Sequence, residues 1–103
     1  MNWKTTRAEQ LVQAFLSLRT RDEVRAYLRD LLTEAEIDDF AKRFETARLL
    51  SLKTSYPSIQ KSTGFSTTTI ARVSKWLQTG KGGYSLVLNR LHHTPDLVER
   101  GMC

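Results

Sequence analysis

Immediately after Gly64-Phe65, the stretch Ser66-Thr67-Thr68-Thr69 sets four short hydroxyl side chains in a row. A threonine hydroxyl bonds phosphate oxygens or base edges, and its methyl packs against a thymine methyl. Lys53, Lys61 and Lys75 surround this run, and Arg72 follows it closely. Ammonium groups on phosphates set register without reading sequence, whereas a guanidinium also clasps a guanine edge. From Arg48 to Arg90 there is no Asp or Glu, so nothing in the segment repels a polyanion. The chemistry expected here is duplex DNA binding, with Lys53, Lys61, Ser66, Thr67, Thr68, Thr69, Arg72 and Lys75 as contacts.

A helix-turn-helix over about residues 56 to 78 would position them. Pro57 suits the first turn of a short helix, and Gly64 supplies the backbone freedom of the tight corner. Ile59, Phe65, Ile70 and Val73 are the apolar positions that pin the two helices. Ser66 caps the second, whose free amides then face a phosphate. Gln60 stands where such corners usually hold alanine, so its side chain must turn outward or the helices splay slightly. The plain alternative is a corner that only builds a bundle. Threonines where a bland helix prefers alanine, leucine or glutamate argue against it.

The remaining elements also read as helices, without period-two alternation. Thr6 with Glu9, Thr20 with Glu23 and Thr33 with Glu36 have capping-box spacing. Helices are expected over about 7–18, 21–31 and 34–53, the third with Ile37, Phe40, Phe44, Ala47 and Leu50 as a core stripe. A fifth helix ends at Gly80-Lys81-Gly82-Gly83, where glycine readily takes the left-handed conformation. A sixth covers about 84–93, and a last turn around Leu97 and Val98 is possible. With 103 residues the chain has room for one domain, residues 1–103. An apolar fraction of 40% suits a folded chain rather than a disordered one.

Other groups carry less chemistry. Adjacent His92 and His93 point apart on a helix and cannot clasp one metal. Glu34, Glu36, Asp38 and Asp39 crowd the start of the third helix, where the helix dipole favours negative charge. Cys103 has no cysteine partner. The glycines at 80, 82 and 83 lack the strand and Lys-Ser/Thr ending of a phosphate loop. Trp3 is a packing anchor or uninformative. No enzyme, metal or membrane span is expected. Sixteen Lys and Arg against eleven Asp and Glu give a net charge of +5, a bias that suits a polyanionic partner.

Two segments, Leu31-Leu32-Thr33-Glu34-Ala35-Glu36 and Gly64 through Val73, resemble the Trp repressor superfamily. Trp76 through Leu88, with its glycine-rich link into Tyr84, is similar to the YerC/YecD-like branch. The resemblance implies an all-α, six-helix subunit in an intertwined homodimer, with a dimerisation core of about 7–53 and 84–93. It also implies two reading heads for a palindromic operator. By position, Arg43 and Arg72 match the two arginines that sandwich the corepressor indole, and Thr33 matches a residue of that pocket. Val73 replaces a glycine beside the indole, and Trp76 replaces a serine that meets the ligand's amino group. The added bulk crowds the cavity. L-tryptophan or another amino acid is therefore a weak effector candidate, no cofactor is expected, and DNA binding should not need tryptophan. Trp76 either fills the ligand's space or is plain core. Arg72 either lines a vestigial pocket or reaches DNA.

The expectation is a cytoplasmic, bacterial-type transcription regulator, a repressor acting as a homodimer on double-stranded DNA. A non-regulatory DNA-binding module, of transposase or replication-initiator type, would share the helix-turn-helix without the dimer. A helical protein-interaction domain would turn the basic face to an acidic partner instead.

Overall fold

The computed structural model describes residues 1–92. They form six helices and no strand: α1 (Thr6–Leu16), α2 (Arg21–Leu31), α3 (Glu34–Ser51), α4 (Tyr56–Thr63), α5 (Thr67–Thr79) and α6 (Gly83–His92). His93, the turn expected around Leu97 and Val98, and Cys103 lie outside the described residues. The chain divides into two compact units, with the boundary after Asp38.

In the first unit the helix starts follow local hydrogen bonding. Thr33 and Glu36 form the expected reciprocal box: the Glu36 amide donates to the Thr33 hydroxyl at 3.1 Å, and the Thr33 amide to the Glu36 carboxylate at 2.9 Å. Thr20 accepts from the Glu23 amide, but the Glu23 carboxylate takes the Arg19 amide, one residue outside the cap. The expected pairing of Thr6 with Glu9 does not form. Thr5 caps α1 instead, its hydroxyl accepting from the Ala8 amide at 3.2 Å, while the Glu9 carboxylate accepts from Gln13. Both threonines offer a hydroxyl, and the one with extended backbone becomes the cap.

Accepting the Thr33 amide and hydroxyl holds the Glu36 carboxyl below its ordinary range. A depressed folded value means the cap is present above the unfolded pKa and is lost as pH falls through the folded one. The Thr33 amide, which donates to the carboxylate, should therefore show a raised exchange protection factor at neutral pH. That factor should fall as pH drops below the ordinary glutamate range. A protection factor unchanged down to about pH 2 would rule the carboxylate out as a cap.

Phe15 and Tyr27 meet edge to face, ring centroids 5.5 Å apart, and join α1 to α2. Only Ala8 is fully buried in this unit, while Leu11, Val12, Phe15, Leu16, Val24 and Leu31 stay exposed.

The second unit packs α5 against both α4 and α6. Its core is Ala47, Ile59, Ile70 and Val73, with Thr46 beside them. Ile59, Ile70 and Val73 pin the corner as expected; Phe65 is only half-buried. The expected α3 stripe is buried in part: Ala47 is inaccessible, whereas Phe40 remains exposed. Thr46, polar and outside that stripe, is buried because its hydroxyl donates to the Lys42 carbonyl at 2.8 Å.

Two chain reversals differ from glycine-based expectation. At the end of α3 the Thr54 amide bonds the Leu49 carbonyl and the Lys53 amide bonds that of Leu50, a Schellman pattern. Its left-handed residue is Lys53, at φ 64. After α5, Gly80 is not left-handed (φ −78, ψ −149); Gly82 is, at φ 85. Gly80 is needed for space, because a Cβ there would press on the Trp76 carbonyl oxygen.

Candidate nucleic-acid interface

The corner is built locally. Ser55 caps α4, its hydroxyl accepting from the Ser58 amide, and Pro57 occupies the first turn, where a missing N–H costs nothing. Gly64 ends the helix at φ 77, ψ 2, its amide bonded to the Gln60 carbonyl. After Phe65, Ser66 is extended (φ −70, ψ 161) and caps α5, accepting from the Thr69 amide at 3.2 Å. The Ser66 and Thr69 hydroxyls also lie 3.1 Å apart. Thr69 is thus engaged with the cap and half-buried, which leaves Thr67 and Thr68 as the open hydroxyls.

Helical spacing sorts the rest of α5. Residues at i, i+4 and i+7 share a face, so Thr68, Arg72 and Lys75 form one stripe. All three are exposed, and the buried Ile70 and Val73 occupy the other side. Lys61, in the last turn of α4, and Lys53 are exposed as well. Among the described residues no ion pair reaches Lys53, Lys61, Arg72 or Lys75. The nearest carboxylate in sequence, Glu45, is bound bidentately by Arg48 at 2.6 and 3.0 Å. That guanidinium holds the Glu45 carboxyl below its ordinary range. The result is a cation-lined helix face without its own counter-charge.

Lys53 is the unusual member. A left-handed backbone costs a non-glycine residue about 1–2 kcal/mol, partly offset when glycine's extra chain entropy is counted. Lys53→Gly should raise stability by about 0.5–1 kcal/mol in thermal unfolding. The same change should weaken duplex binding equally for all sequences. A variant no more stable than the parent would mean that Lys53 is held without strain.

The residues expected for an effector pocket have these individual surroundings. Thr33 belongs to the first unit, as the cap of α3. Arg43 pairs with Asp39 on its own helix at 3.0 Å and stacks over Phe40, 5.8 Å from the ring centroid. Val73 is core, 1% exposed. Arg72 lies on the open α5 stripe. Trp76 is 48% exposed and lines an open, apolar cleft of about 650 Å³ with Phe44, Gly80, Lys81, Gly83, Tyr84 and Val87. Neither Arg43 nor Arg72 lines that cleft.

The pattern of the Trp repressor protein family matches residues 6–92. The chain belongs to the Trp repressor family. It is 38% identical over 86 residues to the uncharacterized protein YerC of Bacillus subtilis (strain 168), covering 84% of this chain and 83% of that one. A crystal structure of a TrpR-like protein from Eubacterium eligens superposes with TM-score 0.83 at 42% identity, over 88% of this chain and 94% of that one. A candidate Trp repressor from Staphylococcus aureus gives TM-score 0.82 at 30% identity, over 89% and 95%. The all-α, six-helix fold expected from the sequence is the fold of these relatives. This Trp repressor family is one of DNA-binding regulators rather than enzymes. Among the described residues no helix is long and apolar enough to cross a membrane.

Reading by sequence missed Thr5, Thr46 and Thr63. Threonine carries no burial signal of its own, and only its hydrogen-bond geometry reveals the role.

Proposed function

We propose that the chain is a sequence-specific transcription regulator of the cytoplasm that works as a homodimer and represses by occupying a palindromic operator. The exposed Thr68–Arg72–Lys75 stripe, in a segment without carboxylates, carries this reading. Entering the major groove, α5 sets Thr68 and Arg72 against base edges, while Lys53, Lys61 and Lys75 hold phosphates. A second copy is supported by the apolar side chains left in water, among them Leu11, Phe15, Leu16, Leu86 and Leu91. Two heads related by a two-fold axis would read half-sites ~34 Å apart, and a dimer seated there blocks polymerase.

Tryptophan is not required in this reading. Val73 fills core space, Arg43 pairs with Asp39, and, by the family resemblance, Trp76 stands where a serine would meet the ligand. The test is selection of bound sequences from random duplexes, with and without free tryptophan, alongside sedimentation. A two-fold symmetric consensus, unchanged by tryptophan and bound by a dimer, is the expected result. A monomer with no sequence preference, or a consensus that appears only with tryptophan, would overturn it.

A further inference from the structure

Thr63 is the last residue of α4 and is 5% exposed, yet it is polar. Its hydroxyl donates to the Ile59 carbonyl at 2.9 Å and accepts the Phe65 amide at 3.2 Å. One oxygen therefore ties the reversal to Ile59, a fully buried residue of the core. Across the turn, the Gly64 amide is held by the Gln60 carbonyl at 2.8 Å. The next amide, that of Phe65, is held by Thr63, and the residue after it is Ser66, the cap of α5. Nothing lies within 4 Å of the space where a Gly64 side chain would stand, so packing does not restrain the corner there.

We propose that Thr63 is a positioning residue: its hydroxyl sets the direction in which α5 leaves the corner and is presented to duplex DNA. The proposal rests on the DNA-binding reading above and assigns its selectivity to a residue that touches no nucleotide. Hydrogen bonds to base edges are directional, so a small rotation of α5 breaks them. Phosphate contacts from long lysine side chains tolerate the same rotation, because the ammonium can follow the charge. Loss of the hydroxyl should thus lower selectivity and leave general affinity intact.

Thr63→Val keeps the shape of the side chain and removes the hydroxyl, leaving the Phe65 amide without that acceptor. Affinity is measured for the duplex selected by the parent protein and for a scrambled duplex, each over a salt series. The ratio of the two should fall about ten-fold, the scale of one mismatched base pair. Scrambled-duplex affinity and its salt slope should stay at parental values, and Phe65 amide exchange should quicken. Thr63→Ser should restore the ratio. If Thr63→Val does not fold, Thr63→Ser and Thr63→Ala carry the comparison, since they differ only in the hydroxyl. An unchanged ratio with only a lower melting temperature would make Thr63 structural and sink the proposal. A parental protein with no preference among duplexes would sink the DNA-binding reading and this proposal together.

Discussion

Thr68→Glu leaves the fold intact and removes the preference for operator over random DNA. Thr68 is the second residue of α5, exposed beside the cap. A carboxylate in a first helical turn is favoured by the helix dipole, so the variant should melt at or above the parental temperature. On the outer face the same charge meets phosphates and the acceptor-rich edges of guanine and thymine, which offer it no donor. Selective affinities exceed non-selective ones by about 10³-fold or more, and that margin is the expected loss. Lys61→Ala is the contrasting change. It removes one phosphate contact, so it should weaken every duplex alike and reduce the salt slope by ~0.9. Titrations of both variants on selected and scrambled duplexes read the difference. Equal effects on both duplexes by both variants would show that the two positions do not divide reading from holding.

Ile70→Ala should cost the second unit a large share of its stability. Ile70 is inaccessible, as is Ile59, and they share the small core behind the corner. Truncation removes transfer energy and leaves a cavity, together about 2–5 kcal/mol. A domain of this size has about 5–15 kcal/mol in total, so the melting temperature should drop by roughly 10–20 °C. Selected and scrambled duplexes should then lose affinity together, because the reading helix is no longer held. A loss below about 1 kcal/mol would mean that the corner draws its rigidity from elsewhere, such as a subunit contact.

Together the two variants separate surface from scaffold. Thr68→Glu should change recognition without lowering stability, and Ile70→Ala should change recognition only through stability. The Thr63 variants fall between them.

Much of the fold was readable residue by residue. Ser66, Thr20 and Thr33 became caps because a hydroxyl in extended backbone satisfies an amide that the helix leaves free. Gly64 ended α4 in the left-handed region that it alone enters without strain. These interactions span a few residues, so the local order of side chains is enough to specify them. The acid-free charge pattern around α5 was likewise a property of the chain itself.

Packing decided what spacing could not. Ile59, Ile70 and Val73 are sealed, while Phe40, Leu11 and Leu16, equally apolar, stay in water. Periodicity marks an apolar face but does not say whether another surface of the same chain covers it. Arg43 pairs with Asp39 on its own helix, whereas Thr63 is sealed where α4 packs against α5. The sequence by itself settled the helices, the Thr20, Thr33 and Ser66 caps, the glycine corner and the basic, carboxylate-free segment around α5, all within a turn or two of chain. Only the tertiary structure decided which apolar groups form the core and which polar group holds the corner. Burial is set by neighbours distant in sequence.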